Sequence, residues 1–98
     1  MENLNLTSLL TDIQTLTSEL STFEDKYDVL TEAFYEWYEA GNEPENDAWV
    51  MDFTEWAGLY QSRLLLVSEY QNLLQEQTTR YKNPINYHIQ LHAHAVAV

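Results

Sequence analysis

Ninety-eight residues carrying sixteen carboxylates, four lysines and arginines, and no cysteine give a formal charge of −12. That balance repels nucleic acid and anionic membrane surfaces, so direct DNA or RNA binding is not expected, and the missing thiols exclude disulfides, thiolate metal sites and cysteine nucleophiles. A chain this short buries a modest core by itself, which raises pairing with a second copy as an expectation from the outset.

The opening Met1-Glu2-Asn3 lacks the basic and apolar regions of a signal peptide. The longest purely aliphatic run, Leu64–Val67, falls far short of a membrane span. The reading is a soluble, cytoplasmic protein without membrane contact.

From the N-terminus, apolar residues fall at Leu6, Leu9, Ile13, Leu16, Leu20, Phe23, Tyr27, Leu30, Phe34 and Trp37, in alternating steps of three and four. That is a heptad seam about five heptads long. It predicts one unbroken helix over about 6–40, ended by Gly41 and Asn42 as left-handed capping residues and by Pro44, which cannot continue a helix. After a loop at 41–46, Asn46 or Asp47 can act as N-cap for a second helix over about 47–82. Its seam reads Val50, Phe53, Ala57, Tyr60, Leu64, Val67, Gln71 and Leu74. Two helices of about 35 residues, each roughly 50 Å long, joined by a short loop favour a coiled-coil-like antiparallel hairpin. The fold class is all-α, with the hairpin over 1–84 and a tail over 85–98.

The second helix carries a further apolar stripe, Trp56, Leu59, Leu66, Tyr70 and Leu73, turned away from the first. A single partner helix cannot cover both. Each large apolar side chain is worth about 1.5–3 kcal/mol when buried, so the stripe predicts a homodimer in which two hairpins form a four-helix bundle. The alternative is that the stripe docks on the chain's own C-terminal segment. In that segment Ile85, Tyr87, Ile89, Leu91, Ala93, Ala95 and Ala97 alternate with polar residues, which predicts a β-strand or an extended tail. A lone strand must pair with its twin or with a target to satisfy its backbone.

Candidate chemistry is sparse. His88, His92 and His94 would share one face of an extended tail, a spacing usable by a metal ion. No second-shell partners or pocket accompany them, so they read as an exposed or interface face and no metal is expected. A di-iron bundle needs Glu-x-x-His pairs on facing helices, and neither helix contains histidine. The glutamates read as solvated surface, Gly41 and Gly58 cannot make a phosphate loop, and the expectation is a non-enzyme without cofactors.

The informative feature is the distribution of charge. Residues 24–55 hold Glu24, Asp25, Asp28, Glu32, Glu36, Glu39, Glu43, Glu45, Asp47, Asp52 and Glu55 against Lys26 alone. In residues 56–98, by contrast, Arg63, Arg80 and Lys82 outnumber Glu69 and Glu76. Asp25, Asp28, Glu32, Glu36, Glu39 and Glu43 recur every three or four residues, forming a ridge of like charge that costs helix stability. Such a ridge resembles the phosphate row of a nucleic acid strand and would be drawn to a basic groove by the same electrostatics. It could equally be solubilising surface. Tyr35, Tyr38 and Trp49 fall off the seams and can serve as binding anchors. The sequence thus predicts an acidic inhibitor that binds a protein target at its basic nucleic-acid-binding surface, in the manner of small viral anti-restriction or anti-CRISPR proteins, an analogy from size and charge. Its contacts would be Glu32, Tyr35, Glu36, Tyr38, Glu39, Glu43, Asp47 and Trp49. The competing reading is a dimeric coiled-coil adaptor or assembly chaperone that uses Trp56, Leu59, Leu66, Tyr70, Leu73 and the tail.

Overall fold

A computed structural model of the chain describes residues 5–78 together with Ile85, Asn86, Ile89 and Ala93. Among these residues the fold is all-α: α1 spans Leu6–Tyr27, α2 Thr31–Glu39 and α3 Val50–Thr78, with one 3-10 turn at Asp47–Trp49 leading into α3. The molecule measures 52 × 29 × 27 Å.

The first helix starts where a cap is available, because the Asn5 side chain accepts a 2.7 Å hydrogen bond from the Ser8 backbone N–H. Leu6, Leu9, Ile13 and Leu20 of the expected seam are buried, and α3 is the main packing partner of α1. Hydrogen bonds set the direction. Lys26 and Tyr27 reach Asp52 at one end, and Thr17 accepts from Arg63 further along, so α1 and α3 run antiparallel.

The unbroken helix expected over 6–40 is not formed. It stops at Tyr27, and Asp28 takes the left-handed conformation (φ 58°, ψ 41°) while donating its N–H to the Glu24 carbonyl at 2.7 Å. Neither glycine nor proline marks this break; Asp is one of the few other residues that tolerates that region. Two interactions offset its strain. The Glu24 carboxylate accepts the Thr31 N–H at 2.9 Å, capping α2 where Leu30 offers no side-chain oxygen. The turn also lays Phe34 face to face on Trp56, with centroids 3.9 Å apart and planes 2° apart. Leu30, expected on the seam, is left 68% exposed, and the acidic ridge is cut between Asp28 and Glu32. Asp28→Val should lower stability by about 1–2 kcal/mol, whereas Asp28→Gly should shift it by less than about 0.5 kcal/mol because glycine accepts this φ freely. Urea midpoints of both variants check the pair, and equal losses would show that the left-handed residue is not the critical feature.

The end of α2 follows the expected signals. Gly41 (φ 93°) donates to the Tyr38 carbonyl, the Asn42 side chain donates to the Trp37 carbonyl, and Asn46 accepts from the Ala48 N–H.

On α3 the inward face differs from the expected seam. Phe53, Trp56, Ala57 and Leu74 are buried and Tyr60, Arg63, Val67 and Tyr70 are half-buried, while Val50 and Leu64 are exposed. This face also repeats in steps of three and four, but Arg63 interrupts its apolar character, and Thr17 supplies a partner for that side chain at 2.8 Å. Trp56 therefore leaves the proposed dimerisation stripe: it is 1% exposed, closed within its own chain. Leu59, Leu66, Tyr70 and Leu73 are half-buried. The strand expected in the tail is at odds with Ile85, Asn86, Ile89 and Ala93, which are helical. Ile85, Ile89 and Ala93 recur every four residues, so the letters that alternate also satisfy a helical period. His88, His92 and His94, and the expected end of the second helix near Lys82, lie outside the described residues.

Candidate functional site: an aromatic cleft at the acidic end

Aromatic residues from every element converge at the loop end. Trp56 is the hub, stacked on Phe34, on Phe23 at 5.7 Å and on Tyr27 at 5.8 Å, with Phe53 edge-on at 6.0 Å. Its indole N–H donates to the Thr31 hydroxyl at 3.0 Å. Thr31 is thereby placed by the helix break as the buried polar partner the tryptophan needs.

Over this hub opens a cleft of about 620 Å³. Phe34, Phe53 and Trp56 line it together with Tyr27, Trp37 and Trp49, and its remaining border is Val29, Ala33 and the loop residues Asn42, Glu43, Pro44 and Glu45. Trp37 stands edge-on to Phe53 at 6.0 Å and Trp49 is stacked on it at 6.2 Å, and each is 39% exposed. Tyr27 stands edge-on to Trp49 and Phe53. A second, smaller hollow that shares Asn42, Glu43, Pro44 and Phe53 with the first is lined also by Tyr38, Asp47, Val50 and Thr54.

A polar clamp holds Tyr27 in place. Asp52 accepts from the Tyr27 hydroxyl at 2.6 Å and from the Lys26 ammonium at 2.7 Å, and that ammonium also sits 5.5 Å from the centre of the Tyr27 ring. The hydrogen bond from Lys26, then that from Tyr27, holds the Asp52 carboxyl below its ordinary value of 3.8. The hydrogen bond to Asp52 is also the largest cause holding Lys26 and Tyr27 above theirs. The signs follow. The depressed carboxylate stabilises the fold above the unfolded-state pKa near 4 and loses that contribution as pH falls through its folded value; the raised Lys26 and Tyr27 lose theirs only as pH rises through values above about 10. Asp52→Asn should therefore be less stable than the parent at neutral pH, and the gap should close as pH falls below the folded-state value of Asp52. Urea midpoints across an acid series test this, and a gap that persists unchanged in acid would sink it.

The structure gathers only part of the expected binding set. Glu43 and Trp49 line the large cleft, and Tyr38, Glu43 and Asp47 line the small one. Glu32, Glu36 and Glu39 are exposed along α2 and border neither. Tyr35 turns away to meet the Tyr60 ring at 4.9 Å and to accept from the Gln61 amide at 2.9 Å. Trp37, Tyr27 and Glu45 were not expected at the site. Trp37 was assigned to the core by its spacing, and Tyr27 comes to the cleft edge only because α1 ends there.

Among the described residues no three carboxylate or imidazole side chains cluster as a metal ion requires, and no helix is long and apolar enough to cross a membrane. Compared with protein families, characterised proteins and solved structures, the chain matches none.

Proposed function

We propose that this chain is a non-catalytic acidic binding protein that occupies the basic nucleic-acid-binding surface of a protein target and blocks it. The support is the charge left open by the fold. Asp25, Asp28, Glu32, Glu36, Glu39, Glu43, Glu45, Asp47 and Glu55 are all exposed. The single cation of that half, Lys26, is already bound to Asp52. A groove evolved for phosphates supplies the missing lysines and arginines, and complementary potential both steers the encounter and excludes wrong partners. Glu32 and Glu36 lie one turn apart, about 6 Å along the axis of α2, which gives the contact face a regular row of charge even though the longer ridge is broken. The aromatic cleft, to which Ala33, Phe34 and Trp37 of the same helix contribute, supplies the apolar anchor that charge alone lacks.

The experiment is capture of a target on the immobilised chain at low and high salt, followed by competition with nucleic acid for the captured protein. Release by salt and displacement by nucleic acid support the blocker. A partner that resists both would require a different contact surface.

A second reading, a dimeric adaptor, draws on the apolar residues left at the surface, Leu10 at 43%, Leu64 at 46% and Leu65 at 60% exposed, beside the half-buried Leu59, Leu66 and Leu73. It calls for a dimer in sedimentation equilibrium that L64E and L65E dissociate, and for a partner that deletion of 85–98 releases.

A further inference from the structure

We propose that the aromatic cleft is an arginine receptor: it takes one guanidinium side chain from the basic surface of the target, held over Trp37 and Trp49 and paired with Glu43 and Glu45. This deepens the blocking function and rests on it, since it names the chemistry by which that surface would be recognised.

Three features of the cleft converge on this occupant. Trp37 and Trp49 keep 39% of their surface in water each, although the same rings touch Phe53 and help enclose a space of about 620 Å³, large enough for a long side chain. Indole faces attract a cation through the ring quadrupole, most strongly once water is displaced. The rim carries the opposite charge, with Glu43 and Glu45 on the flanking loop and no cation among the lining residues. Both carboxylates are exposed and form no ion pair among the described residues.

Lysine fits this site less well than arginine. An ammonium is a strongly hydrated point charge that loses much of its hydration on entering an apolar cleft. A guanidinium is planar, weakly hydrated, stacks on aromatic faces and still offers N–H groups along its edge to a carboxylate. The cleft combines flat apolar walls with carboxylates at its mouth, as the guanidinium requires.

Lys26, the one cation of residues 24–55, is placed elsewhere. Lys26 pairs with Asp52, which does not line the cleft, so the Tyr27 edge is fixed while the Glu43 and Glu45 rim stays open. Among the described residues, no cation competes with an incoming arginine at that rim.

The test uses the full chain and short capped glycine-serine peptides that carry one arginine, or lysine, trimethyl-lysine or citrulline in its place. Binding is followed on the indole N–H resonances of the three tryptophans. The arginine peptide should move Trp37 and Trp49 more than Trp56, whose N–H is held by Thr31, and should bind about tenfold tighter than the lysine or citrulline peptide. Trp49→Ala, whose side chain lies outside the buried core, should lose about tenfold of that affinity, with its circular dichroism unchanged. E43Q with E45Q should weaken binding and flatten its salt dependence. Citrulline binding as well as arginine, tighter binding of trimethyl-lysine, or shifts confined to residues outside the cleft would each overturn the assignment. Two further arms separate its failure from that of the blocking function. If W49A leaves target capture and displacement by nucleic acid intact while E32Q, E36Q and E39Q together abolish them, the cleft fails and the blocker stands. If the arginine peptide binds as described but nucleic acid never displaces a captured target, the cleft stands and the blocker fails.

Discussion

Trp56→Ala should destabilise the protein by about 3–5 kcal/mol, the usual loss when a buried large aromatic is cut back to a methyl group. The side chain is 1% exposed and touches aromatic rings from all three helices: Phe23 and Tyr27 on α1, Phe34 on α2 and Phe53 on its own. Its removal would leave a void where all three helices meet and would take away the ring against which Phe34 of the short α2 is stacked. A domain of this size has a total stability at the low end of about 5–15 kcal/mol, so the variant should be largely unfolded in mild urea. Thr31→Val separates packing from polarity. It keeps the shape but strands the indole N–H in a buried site, which should cost about 1–3 kcal/mol. Denaturant midpoints read both, and a Trp56→Ala variant within error of the parent would remove this tryptophan from the centre of the fold.

The physical reason this core was only half legible lies in a few residues. The seam from Leu6 to Tyr27 is visible because steps of three and four on one helix have no competing interpretation, and the turn at Gly41–Pro44 is visible because those residues restrict the backbone by themselves. The break at Asp28 has no such local signature. It depends on a carboxylate four residues back, Glu24, reaching forward to Thr31, and on Phe34 finding Trp56 some twenty residues later, and neither is a property of the segment that breaks. Arg63 hid the true inward face of α3 in the same way, since a charged residue in an apolar row reads as an interruption until Thr17 on the opposite helix is known to receive it. Of the site, Glu43, Asp47 and Trp49 were legible as charge and exposed aromatic character. The engagement of Tyr35 within the chain was not legible because its partners, Tyr60 and Gln61, sit on another helix. Trp37 was missed because its spacing assigned it to the core, whereas it is left 39% exposed and lines the cleft.

The largest functional effect should come from changing Glu32, Glu36, Glu39 and Glu43 together to glutamine. The fold should tolerate this well. All four side chains are exposed, none takes part in the ion pair or side-chain hydrogen bonds found among the described residues, and removing like charges at spacings of three and four relieves repulsion along α2 by a few tenths of a kcal/mol per pair. A modest rise in the urea midpoint is therefore expected alongside a loss of binding, and that opposition of sign is informative. Exposed ion pairs contribute roughly 0.2–1 kcal/mol each, so four of them lost at a basic surface should weaken capture of the target by about fourfold to a thousandfold, acting mostly on the association rate where charge steers the encounter. The same change should flatten the dependence of affinity on salt, because fewer fixed charges remain to be screened. Binding kinetics of the parent and the glutamine variant across a salt series measure all three quantities. If the variant is stabilised but captures the target with unchanged rate and unchanged salt dependence, Glu32, Glu36, Glu39 and Glu43 act only as solvated surface, Glu43 is no partner of an incoming arginine, and recognition must lie on the apolar walls of the cleft or on the exposed leucines of α3.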